Sequence, residues 1–93
     1  MLELRHSKRA ICNLDKISEY YEKQSSGLGR GFAKYYNAQI SILKSFPNVC
    51  RAGIRMGTRE MVMHDFPFII VYRIKDTFIQ VVTVYHQKRQ QPE

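Results

Sequence analysis

The sequence predicts an α+β domain in the order βααβββ, with an N-terminal helical hairpin packed on an antiparallel-rich, four-stranded sheet. Three observations carry this. Two stretches in the first half repeat apolar residues at the three-and-four spacing of a helix. The second half alternates Val, Ile, Phe and Tyr at period two, the spacing of strands. The 93 residues, 44% hydrophobic and 25% charged, form an ordinary globular mix with room for one core. The whole chain, residues 1–93, therefore reads as one domain, and neither disorder nor a coiled rod fits.

Each element follows from its own pattern. Leu2 and Leu4, with His6, alternate with Glu3 and Arg5 as a first strand. Ser7 offers an N-cap, and from residue 8 to about 24 the positions Ala10, Leu14, Ile17 and Tyr21 fall on one helical stripe. Residues 25–31, with three glycines and two serines, read as a loop. They follow a helix and lack the GxxxxGK[ST] and GxGxxG patterns, so they are not a phosphate cradle. A second helix over residues 31–45 carries Phe32, Tyr36, Ile40 and Leu43, and Pro47 ends it. The short loop predicts an antiparallel hairpin of the two helices. Tyr35, Ala38 and Ile42 widen the apolar arc of the second helix, and the first helix is expected to cover them. Residues 47–58 look irregular and basic. Three strands follow, over residues 59–64, 68–74 and 77–85, the last two joined by a tight turn at Lys75 and Asp76.

Read by face, Phe68, Ile70, Tyr72 and Ile74 point one way and Ile69, Val71 and Arg73 the other. In the last strand the two sets are Phe78, Gln80, Val82, Val84 and His86 against Ile79, Val81, Thr83 and Tyr85. Both faces are apolar, as in a sheet covered twice. One hairpin covers one face, so the second is expected to be closed partly by the termini and partly by a partner segment, at roughly 25 cal/mol per Å² of apolar area buried.

Charge narrows the partners. Fifteen Lys and Arg against eight Asp and Glu give +7, and the excess is uneven: residues 1–27 carry +1 and residues 28–93 carry +6. A basic half suits nucleic acid, a nucleic-acid machine or an acidic protein. The longest apolar run, residues 66–72, contains a proline and is far short of the roughly 20 residues a membrane span needs. The first ten residues have no apolar h-region, so a cytoplasmic protein with no membrane partner is expected. Cys12 and Cys50 stand 38 apart without a CxxC, which predicts two reduced core thiols rather than a disulfide or a zinc site. His6 and His64 lack ligand spacing, and neither a metal nor another cofactor is expected.

The stretch FPNVCRAGIRMGTR, running on into EMVMHDFPFIIVYRI and closing with VVTVYHQKR, resembles the toxins of the RelE/ParE superfamily. The likeness spans nearly the whole chain: the element order, the hairpin, the helix-ending Pro47, residues 57–60, the Tyr72-Arg73 strand end and His86 before basic residues. The resemblance implies a toxin of a type II toxin-antitoxin system, associated with growth inhibition and plasmid stabilisation. A cognate acidic antitoxin would neutralise it, with Tyr35, Ile42, Phe68, Ile70 and Tyr72 as its docking residues. It implies one of two targets. RelE-like toxins cut messenger RNA on the ribosome; ParE-like toxins poison DNA gyrase and block replication.

RNA cleavage without a metal needs a base for the ribose 2′-hydroxyl, cations for the phosphate and an acid for the leaving oxygen. On the RelE-like reading His86, Arg59, Arg55 and Tyr85 would be the catalytic residues. Arg51, Arg55, Arg59 and Arg73 offer guanidinium forks, and the His86 imidazole is of the type that can serve as the acid. The base is the difficulty. RNA-cleaving relatives commonly place carboxylates or lysines in the segment corresponding to residues 51–58, and here arginines are its only charged residues. Arginine stays protonated and makes a poor base, so His86 would act alone or borrow Glu60 or Asp65. The ParE-like reading is therefore favoured. It makes the chain a non-enzymatic poison with Arg55, Arg59, Arg73, His86, Lys88 and Arg89 facing the target. The alternatives are the ribosome-dependent endonuclease and a decayed toxin that only binds antitoxin; oligomeric state is left open.

Overall fold

The computed structural model describes residues 2–88. Strand β1 (Glu3–His6) leads into helix α1 (Lys8–Gln24) and helix α2 (Leu28–Ser45), followed by β2 (Arg51–Ala52), β3 (Arg59–Val62), β4 (Phe68–Ile74) and β5 (Phe78–His86). The expected α+β class and element order hold, with one strand more than expected. The sheet has five strands in the order β1-β5-β4-β3-β2, antiparallel except for the parallel pair β1 and β5.

The helices begin where local chemistry satisfies their first amides. The Ser7 Oγ accepts from the Ala10 amide at 3.0 Å and so caps α1. α2 starts at Leu28, three residues earlier than composition predicts, because Glu22 reaches across from α1. Its carboxylate accepts from the Gly27 amide at 2.9 Å and from the Gly29 amide at 3.0 Å. These bonds hold the Glu22 carboxyl below its ordinary pKa. Gly27 turns the chain at φ +88°, a left-handed value that favours glycine. Gly29 lies inside the helix rather than in a loop, since a Cβ there would sit 2.5 Å from the Ser18 carbonyl oxygen of α1.

The core lies between the hairpin and one sheet face. Phe32, Leu43, Met63, Ile70, Tyr72, Ile79 and Val81 are all buried there. Full burial of such a side chain is worth roughly 1.5–3 kcal/mol. Phe32 and Phe66 meet edge to face at 5.1 Å, and Tyr21 meets Phe66 at the same distance, a geometry aromatic rings favour. Tyr35 does not turn to α1 as expected. Its hydroxyl accepts from the His64 amide at 3.0 Å and the Asp65 amide at 3.3 Å, tying α2 to the β3–β4 loop. Ile42 remains 43% exposed.

The faces of β4 follow the alternation, but those of β5 do not. Val71 pairs with Thr83 and Tyr72 with Val81, so Val82 is an extra residue, a β-bulge. Past the bulge the alternation inverts. Ile79, Val81 and Val84 join the helix-side core, while Tyr85 joins Ile69 and Val71 on the other face, with Val62 and Val82 packed beside them. The expectation that a partner must close this second face is corrected. Ile69, Val71 and Tyr85 are each 8% exposed or less in the single chain. β1 covers only the first part of β5, and beyond it α1 takes over the edge. The Asn13 Oδ1 accepts from the Thr83 hydroxyl at 2.8 Å and the Val84 amide at 3.2 Å.

Candidate functional site

The segment after Pro47 is a small hairpin held by its own backbone. The Gly53 amide donates to the Thr58 carbonyl at 2.8 Å, and the Arg55 carbonyl accepts from the Thr58 amide and hydroxyl at 3.1 and 2.6 Å. A Cβ on Gly53 would overlap the Thr58 side chain, and Gly57 sits at φ +82°. Arg59, the first residue of β3, holds this segment to the sheet. Its Nη1 donates to the Cys50 carbonyl at 2.7 Å and points at the Asn48 carbonyl at 3.4 Å, while the Tyr72 hydroxyl donates to the Pro47 carbonyl at 2.8 Å. Burial, and then Cys50, push the Tyr72 phenol far above its ordinary pKa. Arg59 is thus a strut with one edge on an open groove shared with Ala52, Thr58 and Ile74.

The helix-free face carries a buried charge. Glu60 on β3, 5% exposed, accepts from the Arg51 Nε at 3.1 Å and Nη2 at 3.0 Å, and the Tyr85 hydroxyl lies 3.5 Å from its other oxygen. The last distance is too long for a strong hydrogen bond. Burial and then Glu60 raise the Tyr85 pKa.

The structure separates the sequence-predicted site residues into three places. Arg55 and Arg73 line a cavity on the helix-free face beside Val71. Arg59 is at the loop. His86 is at the far end of β5 on the helix side, its ring 5.4 Å from Phe68, and its Nδ1 accepts from the Lys88 amide at 3.1 Å. His86 and Tyr85 share the wall of an apolar groove with Lys16 and Tyr20 of α1. Arg89 lies outside the described residues. Of the expected docking residues, Ile70 and Tyr72 are 0% exposed and belong to the core, which corrects their assignment as surface contacts; Phe68 is half-buried and Ile42 open. The open apolar surface lies elsewhere: Phe46, Val49, Ile54 and Met56 are between 64% and 101% exposed along residues 46–56. Single-residue alternation missed this ridge because it belongs to no periodic element. Cys12 is exposed rather than in the core, and both cysteines are free. Among the described residues no group of three His, Cys, Asp or Glu could hold a metal ion, and no helix is long and apolar enough to cross a membrane.

Comparison with known proteins matches this fold and chain. The family model for the ParE toxin of the type II toxin-antitoxin system parDE matches residues 4–91. The candidate toxin Y4kP of Sinorhizobium fredii is 32% identical over 90 residues, 97% of this chain and 93% of its own. Among solved structures, a chromosomal ParDE system from P. aeruginosa superposes with a TM-score of 0.83 at 20% identity, covering 92% of this chain and 96% of that one. The isolated E. coli RelE toxin gives 0.61 at 14% identity, over 98% and 89%. The E. coli DinJ-YafQ complex also gives 0.61, at 10% identity and 91% of each chain.

Proposed function

The chain belongs to the ParE toxin family of type II toxin-antitoxin systems, and on that premise we propose that it arrests growth in the cytoplasm by inhibiting DNA gyrase. A toxin of this family implies a cognate antitoxin. The target reading is supported by one observation above all: His86 and Glu60, the histidine and the buried carboxylate that RNA cleavage could pair, are apart. His86 lies on the helix side of β5, and Glu60 lies on the opposite face with its charge already matched by Arg51. An acid and a base must both be within about 3 Å of the reacting ribose and phosphate. On the gyrase reading no such pairing is required. Arg55, Arg73, His86 and Lys88 then serve as contacts spread over the surface, and Arg59 shapes the loop between them.

The antitoxin, on this reading, covers the exposed ridge of Phe46, Val49, Ile54 and Met56 beside Ile42, and its acidic residues answer the +7 of the toxin. Co-expression with the neighbouring reading frame should yield a stable complex, and that neighbour should restore growth. The released toxin should block gyrase supercoiling and leave ribosome-programmed messenger RNA intact. Cleaved message with unaffected gyrase would transfer the chain to the endonuclease reading. Inertness in both assays, with antitoxin binding kept, would mark a decayed toxin.

A further inference from the structure

The hairpin between β2 and β3 ends in a tip that presents apolar side chains to solvent. Ile54 is 74% and Met56 101% exposed, within a turn bracketed by Gly53 and Gly57. Exposed apolar side chains on a soluble domain are normally scattered singly. Here two share one turn, and its backbone is fixed: the Gly53 amide donates to the Thr58 carbonyl at 2.8 Å and the Thr58 hydroxyl to the Arg55 carbonyl at 2.6 Å. A fixed tip loses little conformational freedom on being inserted into a partner. The rest of the exposed ridge is placed differently, since Val49 shares a groove with Ile42 of α2. The stem of the hairpin is cationic. Residues 48–60 hold Arg51, Arg55 and Arg59 against Glu60, a net +2 by sequence in a chain of +7. Long-range attraction follows that net charge and does not require any single guanidinium to be unpaired.

We propose that this tip is a wedge for duplex DNA, with Ile54 and Met56 entering a base step from the minor groove and the cationic stem lying along the phosphates. Ile and Met are among the side chains that unstack a step in this way. Size and charge together favour a duplex as the occupant. A protein interface of standard size buries about 800 Å² on each partner, far more than one turn supplies alone. An apolar point on a cationic stem matches stacked bases behind a row of phosphates. An antitoxin spread over the whole ridge would block the wedge by covering it. The contact is independent of whether gyrase is the enzyme inhibited.

The test is a titration of antitoxin-free toxin into a short DNA duplex carrying 2-aminopurine at a central TA step, a flexible step whose probe brightens when it is unstacked. Saturable brightening is expected. Ile54→Ser and Met56→Ser, at exposed positions where the fold loses no packing, should each weaken binding about fivefold or more and lose most of the brightening. The slope of affinity against salt, which counts phosphate contacts, should stay that of the parent. No binding, binding without brightening in the parent, or variants that bind and brighten as the parent does would each overturn the wedge. Duplex RNA of the same sequence, whose minor groove is wide and shallow, should compete at least about tenfold more weakly than DNA. Equal competition by that RNA, or by polyglutamate of matched charge, would overturn the assignment to DNA. Gyrase supercoiling is measured separately: brightening with gyrase unaffected keeps the wedge and removes only the gyrase reading.

Discussion

The two faces of the sheet are built on different principles. Under the hairpin, Phe32, Tyr21, Phe66 and Phe68 form a contiguous aromatic cluster with the buried aliphatic side chains of β4 and β5. On the other face three buried apolar residues, Ile69, Val71 and Tyr85, sit between the Arg51–Glu60 ion pair and a group of arginines. The first face carries the burial that holds the chain together. The second is too small to do so and keeps its charges close to the backbone of the central strands, where they have fixed positions. In a chain of this size, stability and recognition are divided by the plane of the sheet.

That division can be broken experimentally. The largest effect should come from Phe32→Ala, which removes a ring only 1% exposed and should cost about 3–5 kcal/mol in urea unfolding, enough to lose antitoxin binding along with the fold. Next is Asn13→Ala, at the edge where the two faces meet. It strands the Val84 amide and the Thr83 hydroxyl and should cost about 1–3 kcal/mol by the same measurement, with the far end of β5 losing hydrogen-exchange protection first. Arg51→Ala on the helix-free face should cost about 1–3 kcal/mol, because it removes a side chain that is 59% exposed but leaves a buried carboxylate unpaired. A loss as large as that of Phe32→Ala would mean that the second face is a load-carrying core. Arg59→Ala should leave global stability nearly unchanged and raise protease sensitivity within residues 47–58.

The smallest effect is a slope. His6 donates to or accepts from the Tyr36 hydroxyl at 2.9 Å, and burial lowers its pKa below the ordinary 6.5. The folded chain therefore favours the neutral ring. As pH falls through about 6.5 the unfolded chain takes up the proton first and stability declines until the lower folded value is reached. Urea midpoints on either side of that pH should differ in the parent and differ less in His6→Gln.

Much of the helix-side face was readable from residue order. The stripes Ala10, Leu14, Ile17, Tyr21 and Phe32, Tyr36, Ile40, Leu43 line the core, Ser7 caps α1, and β4 keeps strict alternation. What escaped depends on contacts between distant residues. Gly29 looks like a loop residue until Ser18 and Glu22 of the facing helix are placed against it. β2 is two residues long and exists through its pairing with Arg59 and Glu60. The bulge at Val82 has no local signal, yet it reassigns every later side chain of β5, which is why Val84 and Tyr85 exchanged faces. The site suffered most from this. Arg55, Arg59, Arg73 and His86 are alike in sequence context, and only the fold parts them; Arg9, on an exposed helix turn, carried no sign of joining Arg55 and Arg73.

The first strand and the last are neighbours, Glu3 beside Phe78 and His6 beside Val81. β5 therefore stands between β1 and β4, and both wait for it. A chain emerging from the ribosome can wind its helices early, since hairpins close locally, but it can assemble no sheet wider than β2–β4 until residues 78–86 are free. Any partner that recognises the whole sheet therefore meets it only once β5 is in place.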